Sequence, residues 1–554
     1  MFKHQGWAKL SATILILCML FVTACDTKTP ETTQSPQTTQ TTQTPTSGEA
    51  NTETKQGGQL VTYVSNDPKG FDPATLNLWD QTIVAANILE GLVRLSPDGT
   101  QIEPGIAEQW SVSDDGLVWT FKLRDNAKFH NGRKVVAEDF KYSFERVARP
   151  ETASPSAWML NKIKGFDAFV AGSATGLEGV RAVNESTLEL ELTEAYAPFF
   201  STLASASLAV VPKEAVEEFG EDFAQNVVAA GPFTLGQWNI NQDLTVNAFE
   251  DYWAGRPYLD SVVWKVINDE NTRIVEFDAG TLDIAWIPPA HYDRLTSDSR
   301  YQNSINICNT LHTDFISFNM EHTPFGDNKD LRYAFKYALD IQAVIDMLQG
   351  RASVANHILL SSMMGGPLGD TSPWYNVDKA KEFMDKAGYA DGLPGTYKLI
   401  TPNWNNNIKI CEIYQQNLKA IGINIEIESL EYGAYNEALT SGQYDLAWGY
   451  VVAAYPDSDA MVATLVYSGN LGSGGNYARY SNAEADKLLE QARAATDDAE
   501  RAMLYTQIEA LVSEDLPYAY GMHNIYVDIC QPYVQDYVAS AVDVHTYHRV
   551  WIKQ

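Results

Sequence analysis

Past residue 25 the chain has no apolar run of transmembrane length, which argues against a membrane-spanning body. It has only five cysteines, and Cys18 and Cys25 lie at the amino end. Cys308, Cys411 and Cys530 are far apart and odd in number, so at most one disulfide can form and buried free thiols are expected. No CxxC pair suggests a zinc site or a redox couple. The nine histidines are scattered, without an HExxH or any ligand spacing. GxSxG, GxxxxGK[ST] and a GxGxxG following a strand are missing as well. The glycines of 469–475 lack a Lys-Ser/Thr and read as a polar crossing loop. Asp457 and Asp459 read as loop acids, and His130 as a residue at a hairpin turn. Nothing here favours catalysis, and no cofactor or metal is implied. Basic residues are scarce too, with 39 Lys and Arg against 71 Asp and Glu, a formal net charge of −32. A body this acidic repels phosphate backbones and anionic lipid, which argues against nucleic acid as a partner.

The first twenty-five residues are different. Lys3 and Lys9 precede the apolar run Leu10 to Ala24, which ends Val22-Thr23-Ala24-Cys25. A basic start, a short apolar core and small residues before a cut form a secretory signal. With cysteine directly after, the segment resembles a bacterial lipobox, which makes Cys25 the lipidated new N-terminus. From Asp26 to about Gln56 the chain is almost wholly Thr, Gln, Pro, Ser, Glu and Lys, without Val, Leu, Ile or aromatics. It cannot build a core and reads as a disordered tether. About 500 residues remain, enough for two or three lobes.

Strands and helices intermix along that body, which predicts a mixed α/β class. Gln59 to Val64 and Leu117 to Leu123 read as strands, with a turn at Asn131-Gly132. Ala137 to Val147 reads as a helix with Phe140, Phe144 and Val147 on one stripe. Asp330 reads as the N-cap of a helix carrying Leu331, Phe335, Leu339 and Ile345 and stopped at Gly350. Asp378 to Ala387 is a further helix. Ile410, Tyr414, Leu418 and Ile421 mark another, closed by Gly422, and the alternating Ile423, Ile425 and Ile427 follow it. Ser481 to Glu484 reads as a capping box opening a helix to about Ala495, and another helix runs from Asp498 to about Val512. Tyr444 to Gly449 reads as a strand.

One stretch is more specific than any of these. Ala107-Glu-Gln-Trp110 continues through Asp115-Gly116-Leu-Val-Trp119-Thr-Phe121 and Lys128-Phe129-His-Asn131-Gly132 to Ala137-Glu-Asp139-Phe140-Lys-Tyr142-Ser143-Phe144-Glu-Arg146. It resembles the signature of the oligopeptide-binding proteins of ABC importers nearly position by position. Phe71-Asp72-Pro73, Leu89-Glu90-Gly91-Leu92, Gly231-Pro232-Phe233, Tyr252-Trp253 and Asn476 to Asn482 keep that family's order. The resemblance spans about residues 57 to 525.

It implies a periplasmic-binding-protein-like clamp of two main α/β lobes and a hinge, with an inserted smaller lobe. By similarity, residues 1–24 are the signal and 25–56 the tether. Lobe I is 57–89, 211–310 and 519–554, lobe II is 90–210, and lobe III is 311–518. The implied partners are an oligopeptide or other small solute, and an ABC permease with its ATPase subunits. The implied place is the outer face of the plasma membrane, at the cell surface or in the periplasm, as a monomer held by the lipid alone. Family members bind an extended peptide through its main chain, like an added strand. Asn77, Leu78 and Trp79, and Tyr450, Val451, Val452 and Ala453, match the positions that do this. Trp404, Trp448, Tyr455 and Asp457 are further cleft candidates. Core packing is the competing role for Trp79 and Trp448, and for Trp404 and Tyr455 as well.

One departure stands out. The aspartate that pairs with a peptide's α-ammonium group in the family corresponds here to Ala454. Either Asp457 or Asp459 substitutes for it, or the ligand presents no free amine there. An oligosaccharide or other non-peptide cargo in the same clamp is the alternative, and a surface enzyme or adhesin is the reading from a different class. Nickel complexes are disfavoured, because no histidine cluster is visible.

Overall fold

A computed structural model describes residues 55–367 and 372–553. The signal segment, Cys25 and nearly all of the expected tether lie outside the described residues. Its last two residues, Lys55 and Gln56, are described. Lys55 Nζ meets Asp536 at 3.1 Å and lies over the Trp551 ring.

Three bodies of buried apolar side chains organise the molecule. The first surrounds a four-stranded sheet in the order Gln59–Val64, Ser261–Val266, Asp243–Ala248, Phe233–Asn239. Gln59–Val64 pairs parallel with Ser261–Val266 and the other pairs are antiparallel. Leu60, Val64, Val246, Val262 and Trp264 pack here with the helix Trp79–Ile88. The second body is an antiparallel sheet of Ala107–Val112, Val118–Leu123, Thr187–Glu191 and Val180–Asn184. The helix Ala137–Ala148 buries Phe140, Phe144 and Val147 against this body's core. A spacing of three and four residues puts those side chains on one face.

The third body is built on a seven-stranded mixed sheet. Its order is Ile284–Trp286, Tyr518–Cys530, Ile305–Phe318, Leu446–Val452, Tyr397–Pro402, Ile425–Leu430, with Ala352–Val354 paired beside Tyr518–Cys530. Ile305–Phe318 and Tyr518–Cys530 are unusually long and antiparallel. One end of the pair packs with Ile284–Trp286, beside the first sheet, and the other end with the core around Phe315 and Tyr518. Their register shifts between Asn309 and Thr313, and again between Asp314 and Phe315. A break of this kind bends and twists a ribbon. The architecture is therefore a mixed α/β clamp whose lobes are joined by this irregular pair.

Several motifs of the signature are frame joints. Arg146 bonds Asp72 through Nη1 at 2.6 Å, and Arg133 holds Asp139 at 2.7 Å. Tyr252 Oη donates to Glu90 at 2.6 Å. His130 is held at both ring nitrogens: Nδ1 accepts from the Ala229 amide and Nε2 contacts the Gly231 carbonyl.

Four local expectations need correction. The helix expected from Asp330 begins with Asn328 as its cap, and it is two helices, Lys329–Ala338 and Ile341–Met347. Leu339 takes an extended conformation, and the Asp340 carboxylate accepts from the Ala343 amide to start the second helix. Asn482, not Ser481, caps Ala483–Ala494, because its side-chain oxygen reaches the amides of both Glu484 and Ala485. The helix opening at Asp498 runs on to Asp515 and ends at Leu516 in a left-handed conformation. The strand expected over Tyr444–Gly449 is Leu446–Val452, carried on by pairing with His312 to Phe318. The three cysteines are free thiols, with Cys411 and Cys530 buried.

Candidate functional site

Trp79 begins the helix Trp79–Ile88 and is 47% exposed. It lines three cavities at once, of about 690, 370 and 270 Å³. The two larger also share Val452 and Val542. The largest and the smallest share Tyr526 and Asp543. Together they make one branched cleft.

Its floor on one side is the strand Leu446–Val452. Alternation along the strand sends successive side chains to opposite faces. Trp448, Tyr450 and Val452 line the main chamber, and Ala454, just past the strand, lines the 370 Å³ chamber. Val451 turns into the core. Ala453 and Tyr455 are also buried in that core yet reach the rim of the 370 Å³ chamber. Trp448 is both wall and core, at 2% exposure. On one edge the strand pairs with Ile305–Phe318 along its length. On the other it pairs with Tyr397–Pro402 only at Leu446 and Ala447, so the edge from Trp448 to Val452 has no strand partner. Trp404, Asn406 and Asn407 stand at that end of the chamber. Trp404 is 44% exposed and stacks on Tyr432, whose hydroxyl meets that of Tyr450 at 3.0 Å.

The opposite wall is a segment that sequence reasoning missed. After a turn in which Asp543 takes a left-handed φ of 53°, Val544 to Tyr547 pass between two chambers. Val542, Val544, Thr546 and His548 face the 370 Å³ chamber, while Asp543, His545 and Tyr547 face the 270 Å³ one. The buried Asn87 pins this partition as a strand neighbour would. Its Nδ2 donates to the His545 carbonyl and its Oδ1 accepts from the Tyr547 amide, each at 2.9 Å.

Asp543 accepts from Trp79 Nε1 at 3.1 Å and contacts His545 Nε2 at 3.2 Å. The Tyr537 hydroxyl gives its proton to Asp528 at 2.7 Å, so towards His545 Nδ1, 3.1 Å away, it can only accept. His545 thus stands between the Tyr537 hydroxyl and the Asp543 carboxylate. Burial alone would lower its pKa, but the bond to Asp543 and the charges of Asp528 and Asp543 raise it instead. Asp314, in the main chamber, is likewise engaged by His312 and Asn524. No group of three potential metal ligands occurs among the described residues.

The remaining candidates are accounted for individually. Asn77 and Leu78 are exposed at the start of the Trp79 helix, and neither lines a described cavity. Asp457 lies outside the branched cleft, buried against Arg501 at 2.9 Å, and caps Ser458–Val466. Asp459 is held by Arg493 at 2.7 Å and by the Tyr196 hydroxyl. Both carboxylates are committed to these partners, so neither is free to meet a ligand amine.

Residues 101–473 match the family described as bacterial extracellular solute-binding proteins, family 5. The chain belongs to that family. It is 27% identical over 500 residues to the periplasmic oligopeptide-binding protein OppA of Salmonella typhimurium, covering 87% of this chain and 90% of that one. To the dipeptide-binding protein DppE of Bacillus subtilis it is 28% identical, covering 84% and 87%. The solved structure of the Escherichia coli murein tripeptide-binding protein MppA superposes with a TM-score of 0.73 at 27% identity, covering 90% of this chain and 98% of that one. The family consists of substrate-binding proteins of transporters rather than enzymes. Among the described residues no helix is long and apolar enough to cross a membrane.

Proposed function

We propose that this chain is the lipid-anchored receptor of an ABC importer. It captures oligopeptides between its two lobes by hinge closure and hands them to a permease. The observation that carries this reading is the unpaired edge of Trp448 to Val452 inside a chamber of about 690 Å³, facing Trp79. The Tyr435 hydroxyl donates to the Trp448 carbonyl, and the rest of this edge, without a strand partner, suits a ligand that is itself a main chain. Binding of this kind tolerates many side chains, since the side branches of the cleft take them and water completes their hydrogen bonds. The irregular strand pair at 309–315 supplies the flexure, and closure is stabilised only by contacts needing both lobes. The lipobox-like Cys25 and the tether keep the receptor near its permease and raise the local concentration there.

Native mass spectrometry of the protein purified from its own cells tests this. A ladder of bound masses characteristic of short peptides is expected, and stoichiometric binding without turnover in calorimetry with tri- to pentapeptides. Hexose-spaced masses would replace this reading with the oligosaccharide one. The exposed stack of Trp404 on Tyr432, beside Asn406 and Asn407, favours that second cargo. Hydrolysis of the bound molecule would overturn both.

A further inference from the structure

We propose that the 370 Å³ chamber is a side-chain subsite that takes a primary carboxamide on an aliphatic stem, as a glutamine residue of the bound peptide presents it. The inference rests on the peptide reading above. Most of the chamber is apolar, with Leu89, Val93, Met159, Ala206 and Val542 among its walls. Yet four of its lining residues carry a buried polar atom with no hydrogen-bond partner: Glu90 Oε1, Arg94 Nε, Thr546 Oγ1 and His548 Nε2. Buried polar atoms are satisfied in the great majority of native structures, so four at one cavity call for an occupant.

The chemistry of the occupant follows from what those atoms can do. Arg94 Nε is a donor only, so it requires an acceptor oxygen. Its other nitrogens are committed, Nη1 to Tyr252 at 2.8 Å and Nη2 to Glu103 at 3.4 Å. Thr546 can donate or accept. His548 is neutral, because burial and the nearby charges of Arg94 and Arg549 lower its pKa to about 3, so Nε2 also takes either role. A carbonyl oxygen for Arg94 and an NH2 for Thr546 or His548 complete the set. Glu90 Oε1, in the same wall, is unpartnered as well and suits the NH2 of the occupant.

The donors and acceptors argue for a neutral head group. Glu90 Oε1 and Arg94 Nε stand in one wall, the first without a donor and the second without an acceptor. A carboxylate ligand would satisfy Arg94 and offer Glu90 no hydrogen. A hydrocarbon end would leave all of these atoms unpaired.

Calorimetry on the full chain with tetrapeptide pools tests this. The pools differ at one position at a time, which holds glutamine, glutamate or methionine. At one position the parent protein is expected to bind the glutamine pool at least tenfold tighter than the other two. Thr546→Val with His548→Phe is expected to abolish that preference, weakening the glutamine pool about tenfold more than the methionine pool. Thr546→Val alone, which keeps the volume, is expected to weaken it about threefold. Equal affinities at every position, a preference for glutamate, or an equal loss on all three pools in the variants would overturn the inference and leave the peptide reading intact. Failure of every pool to bind the parent protein would instead overturn the peptide reading.

Discussion

Trp79 Nε1 donates to Asp543 Oδ2 at 3.1 Å, across 464 residues of sequence. The contact ties the start of one helix to the carboxy-terminal partition, at the point where all three chambers meet. Trp79→Ala is expected to weaken peptide binding about thirtyfold, as removal of a buried aromatic contact of ~2 kcal/mol does. Trp79→Phe keeps the ring and loses only the bond to Asp543, so a loss of about fivefold is expected, from ~1 kcal/mol. Calorimetry on the two variants separates these effects. Equal losses would mean that the indole acts only through Asp543.

Tyr196 and Ala197, beside the antiparallel sheet, meet Asp459 and Arg493 on two helices of the third body. The Ala197 amide donates to the Arg493 carbonyl at 2.7 Å, and the Tyr196 hydroxyl reaches Asp459 at 3.3 Å. Tyr196→Phe removes one bond of this second bridge, worth ~1 kcal/mol. A larger radius of gyration without ligand is expected in X-ray scattering, and the same compact value with ligand. Identical free-state profiles would show that this contact does not bias closure.

Asp457 is expected to matter for stability rather than for recognition of a ligand amine. Asp457→Ala leaves Arg501 buried without its partner, a change that costs about 3–5 kcal/mol. Urea unfolding should show the loss. The ratio of affinities for a free and an N-acetylated peptide should stay the same, because Asp457 lies outside the cleft. A shift in that ratio would return Asp457 to the site.

Burial lowers the pKa of His130 and of His523 to about 4. Their folded pKa values lie below the unfolded value near 6.5, so the unfolded chain binds more protons between these limits. The stability they contribute is present above pH 6.5 and is lost as the pH falls towards 4. His545 has the opposite sign: its raised pKa contributes stability below pH 6.5 that is lost as the pH rises. His130→Gln is expected to flatten the acid side of the stability–pH curve by at most about 1.4 kcal/mol per pH unit, read by urea midpoints between pH 7 and 4.5. An unchanged slope would mean that His130 is not held neutral.

The frame was more legible in the sequence than the site. Gln59 to Val64, the Ala137 helix and the Ile410 helix followed their periodicity, because one face of each is buried and its neighbours enforce the pattern. The signature residues most distinctive in sequence, Asp72, Glu90, Asp139 and Arg146, proved to be joints that hold lobes and turns together. Ligand-facing positions carry a weaker signal. Val451 and Val452 are neighbours of one type, and only the pairing of their strand tells which one faces the core. Asp457 next to a missing acid looked like a substitute, but its partner Arg501 is 44 residues away and invisible to local reading. Asn87, Asp543, Thr546 and His548 stand in no motif, and they become a wall only when the carboxy terminus returns to the first helix.

Alternation along Val544 to Tyr547 gives the length of that wall an evolutionary meaning. A single residue inserted just after Asp543 would turn His545 towards the larger side branch and Val544 and Thr546 towards the smaller. One codon gained or lost there would therefore exchange an ionic lining for an aliphatic one on both sides at once. A paralogue could thus acquire a new diet without altering a residue of the strand on which its meal is laid.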